Sequence, residues 1–183
     1  IGFRLGATLA VTVAEQTGVD KIVLWSPYAK GSSFVRDLER LKKTAADNDT
    51  TTDLNGQIDA AGYIFTKENC LDVSKINLLE TLPPPKVQYL FLDRHEIPTA
   101  EKLHKIYIDA GLDSRYEKYK GHTKMVARPH QSSTPKNALS TIVSWLTETS
   151  ANAPALPLHQ IDETTQQAKM PVSHYSDEEL NNK

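Results

Sequence analysis

The pentapeptide Gly2-Phe3-Arg4-Leu5-Gly6, followed at once by a run with helical spacing, constrains this chain more than any other feature. A Gly-x-X-x-Gly turn between a strand and a helix holds X on a sharp, strained bend beside the helix N-terminus. Glycines are expected at both ends, because a Cβ there collides with neighbouring backbone. The bend aims X out of the sheet and leaves the next backbone N–H free to donate to an oxyanion. Here X is Arg4 and that donor is Leu5. The spacing alone is common, so its weight depends on the elements downstream.

Strands and helices alternate along the rest of the chain. Leu5, Leu9 and Val13 recur every fourth position along residues 5–17, among small residues such as Ala7, Ala10 and Ala14, and Gly18 supplies the stop. Lys21 to Ser26 is a short continuous apolar run closed by Pro27, the pattern of a strand buried on both faces. Phe34, Leu38 and Leu41 mark an amphipathic helix to about residue 45, and the polar stretch from Asp47 to Gln57 reads as a mobile loop. Residues 58–82 are mixed, with short helical pieces expected at 66–72 and 75–81, and Pro83-Pro84-Pro85 forms a stiff connector. Val87 to Leu92 is a second strand ending at Asp93. Thr99 is expected to cap a helix carrying Leu103, Ile106, Tyr107 and Ala110, with Gly111 as its end. Ser114 to Tyr119 reads as a third strand that delivers Gly121-His122. The last helix begins at Thr134-Pro135 and places Leu139, Ile142, Val143 and Leu146 on one stripe.

This order predicts an α/β fold, a mainly parallel doubly wound sheet with helices on both faces. Such sheets gather functional side chains at the C-terminal ends of their strands. Arg4, Ser26, Asp93 and His122 stand at those ends. Residues 150–183, with prolines at 154, 157 and 171 and no sustained period, read as a linker or disordered tail.

Composition narrows the class. Charged residues make up 24% of the 183 and the net charge is −2, which gives no reason to expect a nucleic-acid or anionic-membrane partner. No apolar run reaches the ~20 residues that span a bilayer. The single cysteine, Cys70, permits no internal disulfide and reads as a small core residue. No histidine or carboxylate pair has a metal-ligand spacing, so neither a metal nor another cofactor is expected.

Taken together, the elbow Gly2 to Ala10, the strand Lys21 to Pro27, the strand and turn Val87 to Pro98, the turn Tyr119-Lys120-Gly121-His122 and the closing Trp145-Leu146 resemble the α/β-hydrolase family. The resemblance covers residues 1–149, with residues 28–85 in the place of the substrate-covering cap. The runs Gly-Phe-Arg-Leu-Gly-Ala, Val-Leu-Trp-Ser-Pro and Leu-Asp-Arg-His-Glu-Ile-Pro, with Met125 and Arg128-Pro129-His130, look like bacterial hydrolases associated with exosortase systems, relatives of the serine aminopeptidase group. The chain opens inside the elbow, so the first strands of such a sheet are expected to be missing and the remainder to fold poorly alone. The resemblance implies a cytoplasmic serine-hydrolase relative acting on acyl esters or amides of small molecules. Asp93 would be its acid, with Glu96 as an alternative, and His122 its histidine, with His130 as the rival; His95 and His104 read as solvated surface residues.

Arg4 is the departure. The family's reaction needs a Ser, Cys or Asp nucleophile, and a guanidinium stays protonated and has no usable lone pair. Three readings stay open. Arg4 binds a carboxylate or phosphate of a ligand; or it pairs internally with Asp93 or Glu96 in a catalytically silent site; or Ser26, Ser32 or Ser33 acts as nucleophile near His122.

Overall fold

The computed structural model describes residues 1–46, 57–60, 63–127 and 129–148. The chain divides into a unit spanning Ile1–Ala151 and a second spanning Asn152–Lys183. The second unit, and with it the expected tail, lies outside the described residues, as does all of the expected loop from Asp47 to Gln57 except Gln57 itself.

Four parallel strands form one sheet in the order β1 (Gly2–Phe3), β2 (Lys21–Trp25), β5 (Gln88–Arg94), β6 (Ser114–Tyr119). The helix α1 (Leu5–Thr17) connects β1 to β2 and α4 (Glu101–Asp109) connects β5 to β6; the short α5 (His122–Met125) follows β6, and α6 (Lys136–Glu148) closes the described chain. Alternate residues of the two central strands point to opposite faces. Ile22, Leu24, Tyr89 and Phe91 pack with Ala7, Val11 and Ala14 of α1 and Leu103 and Tyr107 of α4. Val23, Leu90 and Leu92 pack with Ala138, Ile142 and Trp145 of α6. Both faces are covered, which is why β2 and β5 are apolar without alternation.

Two helices are turned relative to expectation. In α1 the buried side is Ala7, Thr8, Val11 and Ala14, whereas Leu9 and Val13 are 40% and 43% exposed. Small side chains let the helix approach the sheet closely, so the larger residues of the four-residue repeat are the ones displaced. In α6 the buried residues are Ala138, Ile142 and Trp145, and Leu139 and Val143 of the expected stripe stay exposed.

Between β2 and β5 lie α2 (Gly31–Ala46), an antiparallel hairpin of β3 (Ile58–Ala60) and β4 (Tyr63–Phe65), and α3 (Lys67–Lys75). The hairpin corrects a segment read without strands, and residues 76–81 form a bridge and turn rather than a helix. A separate core of Phe34, Leu38 and Ile58, flanked by Leu5, Tyr28, Phe65 and Cys70, holds this segment together. Gly31 allows the tightest approach: a Cβ there would lie 1.8 Å from the Val73 carbonyl oxygen. Tyr28 is sewn to α1 by Thr8, whose hydroxyl donates to the Tyr28 carbonyl at 2.9 Å and accepts from its N–H at 3.2 Å. These contacts set the first turns of α2 beside the elbow.

Candidate functional site

The elbow is present as a backbone conformation. Arg4 has φ 51° and ψ −117°, a region that side chains other than glycine seldom occupy. Its N–H donates to the Trp25 carbonyl at 2.9 Å, and its own carbonyl starts α1 by accepting from Ala7 and Thr8. Gly2 is required, since a Cβ there would sit 2.4 Å from the Ala7 Cα. Gly6 is not: a Cβ on it meets nothing within 4 Å, which corrects the expectation of two obligatory glycines. Leu5 is the first helical residue, so its N–H has no intrahelical acceptor.

A cavity of about 540 Å³ opens at the C-terminal ends of the strands, and Arg4, Ser26 and His122 all line it. The Arg4 guanidinium does not reach Asp93 or Glu96. Its Nη2 donates to the Tyr28 hydroxyl and lies 3.8 Å from Asp37 Oδ2, with the guanidinium carbon 5.3 Å from the centre of the Tyr28 ring. Tyr28 in turn donates to Asp37 Oδ2 at 2.9 Å. Burial, assisted by Asp37 and opposed by Arg4, raises the Tyr28 phenol above its ordinary range. The internal partner of Arg4 is therefore a helix residue, Asp37 of α2.

Asp93 is fully buried and its carboxylate is occupied elsewhere. Oδ2 accepts from the backbone N–H of Thr99 at 2.8 Å and of Ala100 at 2.7 Å, and from the Tyr116 hydroxyl at 2.9 Å; Oδ1 accepts from Arg94 N–H at 2.8 Å. It thus ties down the turn that leads into α4, a task expected of Thr99. Ala100 holds the N-cap position of that helix, with no side-chain bond of its own. Among the described residues Asp93 makes no hydrogen bond to His122.

His122 is buried, and its Nδ1 lies 2.6 Å from the hydroxyl of Tyr119. That hydroxyl lies 3.0 Å from Ser26 Oγ, so Ser26, Tyr119 and His122 form one hydrogen-bonded row across β2 and β6. Ser26 itself has φ 48°, a second strained residue at a strand end. Burial, reinforced by the Arg94 and Arg4 guanidiniums and opposed by Glu96 and Asp93, pushes the imidazole down to about 4. Glu96 is exposed and accepts from Gly121 N–H at 3.4 Å. Its own backbone N–H, and that of Gly121, hold its carboxyl below the usual range.

The remaining histidines among the described residues lie apart. His130 is exposed on the turn Pro129–Gln131 and His95 is exposed, and neither lines the cavity. His104, read as a solvated residue, is instead packed edge-on to Phe91 with centroids 5.3 Å apart and tilted on Tyr116 at 5.2 Å. No group of three or more His, Cys, Asp or Glu among the described residues is arranged to hold a metal ion. No helix among them is long and apolar enough to cross a membrane.

No protein-family model matches the sequence, and no curated protein matches it. The chain is similar to a crystal structure of a protein from Agrobacterium vitis S4 provisionally named a hydrolase, at 15% identity and a TM-score of 0.40. That likeness covers 78% of this chain and 59% of the other, so the chain spans less than two thirds of that protein.

Several cavity residues escaped sequence reasoning. Lys30, Arg36, Asp37 and Arg40 line it from the start of α2, and Arg94 lines it from the end of β5. A signal for the first group exists in the sequence: Ser33, Arg36, Asp37 and Arg40 follow helical spacing on the side away from Phe34 and Leu38. Tyr119 carries no such signal, because its role depends on β2 lying near β6 at the site.

Proposed function

We propose that this chain is a protein of the α/β-hydrolase type whose strand-end cavity binds an anionic small molecule, with Arg4 in the place of the nucleophile. The observation that carries this reading is the charge of the lining. Arg4, Lys30, Arg36, Arg40 and Arg94 face Asp37 as the one carboxylate among the described residues of the lining, in a chain whose net charge is −2. A concentration of like charge in a concave site focuses potential on it and draws in a ligand of opposite sign. No acyl-enzyme forms at residue 4, because a guanidinium cannot attack a carbonyl. The relation to exosortase-associated hydrolases rests on the sequence runs alone.

The test is calorimetric titration of the protein with phenyl phosphate and with benzoate, on the parent and on Arg4→Met. Binding of either anion to the parent, weakened in Arg4→Met, supports the reading; no binding of either sinks it.

A second reading keeps hydrolysis of acyl esters or amides. Its support is that His122 stays neutral at pH 7 and lines the cavity, so it could take a proton from an attacking water. Turnover of p-nitrophenyl acetate that disappears in His122→Gln would favour it over simple binding. Ser26 offers a weaker route, since Tyr119 stands between it and His122. Labelling by a fluorophosphonate, lost in Ser26→Ala, would restore it.

A further inference from the structure

We infer that the anion taken by this cavity is a phosphoryl group rather than a carboxylate, an inference that rests on the anion-binding reading above and narrows it. The charges within the lining are unevenly compensated. Asp37 is shared by Arg4 at 3.8 Å and Arg40 at 3.3 Å, so its charge is already engaged. Among the described residues Arg36 donates only to the neutral Ser33 hydroxyl, at 3.1 Å. Arg94 reaches only Thr99 Oγ1, at 3.4 Å, and its Nε is buried with no acceptor among the described residues. Lys30 has no carboxylate partner among the described residues either. Three cations thus stand around one cavity without a counter-charge from the described residues. A carboxylate brings one negative charge and two oxygens, whereas a phosphate monoester brings close to two charges and three strong acceptor oxygens.

The row that ends on His122 adds a neutral donor. If Ser26 donates to Tyr119 and Tyr119 to Nδ1 of His122, every hydroxyl proton in the row has an acceptor and the imidazole carries its own proton on Nε2. The opposite direction leaves the Ser26 proton without an acceptor among the described residues. Nε2 makes no hydrogen bond to a described residue, and its ring lines the cavity. A neutral N–H beside guanidiniums suits an oxygen-rich dianion, to which it donates without adding to the crowding of positive charge.

The closing experiment compares phenyl phosphate with benzoate, which share an aromatic ring and differ in the anionic group. At pH 7.5 and low ionic strength, phenyl phosphate is expected to bind roughly 10- to 100-fold more tightly, the range set by one or two added charge-assisted hydrogen bonds. Arg94→Met should remove most of that preference, and Arg94→Lys should restore part of it. Arg115→Met, at a cation paired with Glu117 and Glu148 outside the lining, should leave both affinities unchanged. Should Arg94→Met fail to fold, Arg36→Met at an exposed position reports on the same preference. Equal binding of the two anions, or tighter binding of benzoate, overturns the phosphoryl inference and leaves the anion site standing. Failure of both to bind removes the underlying reading as well.

Discussion

The Tyr119 hydroxyl lies 2.6 Å from Nδ1 of His122, the ring nitrogen that meets a carboxylate in a Ser-His-Asp triad. A phenol that donates to Nδ1 selects the opposite tautomer from a carboxylate, which accepts there, and it supplies no negative charge to stabilise the imidazolium. Proton transfer onto this ring is accordingly unfavourable, and burial near Arg94 and Arg4 makes it more so.

The direction of the row can be read from the ring itself. Nitrogen NMR of His122 is expected to show the proton on Nε2 at neutral pH. In Tyr119→Phe that preference should weaken, and stability should fall by about 1–3 kcal/mol because Ser26 loses its hydroxyl partner in a buried position. A proton found on Nδ1 in the parent would contradict the assignment and favour the hydrolytic reading.

Acid should destabilise the fold through the same residue. An unfolded histidine takes up its proton near 6.5, whereas folded His122 does so near 4, with Arg94, Arg4, Glu96 and Asp93 as the surrounding charges. Between those values the unfolded state binds more protons, so stability falls as pH falls from about 6.5 through 4, with no further loss from this group below that. Urea titrations across this range should show the decline in the parent and a flatter profile in His122→Gln.

The elbow glycines should behave oppositely. Gly2→Ala forces a Cβ to 2.4 Å from the Ala7 backbone and is expected to cost about 2 kcal/mol or more. Gly6→Ala meets nothing within 4 Å in a helical position and should be neutral or stabilise by roughly 0.5–1 kcal/mol. Chemical denaturation of the two variants side by side decides the matter.

Placing a nucleophile at residue 4 should not by itself create an esterase. Arg4→Ser would place a hydroxyl on the bend, yet Asp93 remains bound to the turn before α4, and His122, donating through Nε2, has no lone pair for the serine proton. Fluorophosphonate labelling of Arg4→Ser is expected to stay at background. Rapid labelling would mean that histidine and acid rearrange readily.

Much of the fold was legible because its signals are local. The continuous apolar runs of β2 and β5 announce burial on both faces, and Gly18, at φ 62°, closes α1 as the sequence implies. The hairpin of β3 and β4 was not legible, since strands of three residues carry too little periodicity. The turn after Ile76 replaces a helix because Asn77 Oδ1 accepts from Leu79 N–H at 3.2 Å, offering the backbone a local alternative. At the site, strand ends located Arg4, Ser26, Asp93 and His122. What each side chain bonds to was hidden, because Asp37 and Tyr119 reach them from elements brought close only by the topology.

The stripe of Ser33, Arg36, Asp37 and Arg40 occupies one side of α2, while Phe34 and Leu38 secure the other to a core separate from the two that cover the sheet. Part of the charge of the lining and the core of the sheet are therefore encoded in different stretches of the chain. Rewriting four outward positions of this single helix would change the charge of the lining at little risk to the sheet that presents Arg4, whereas Arg94 belongs to the sheet itself.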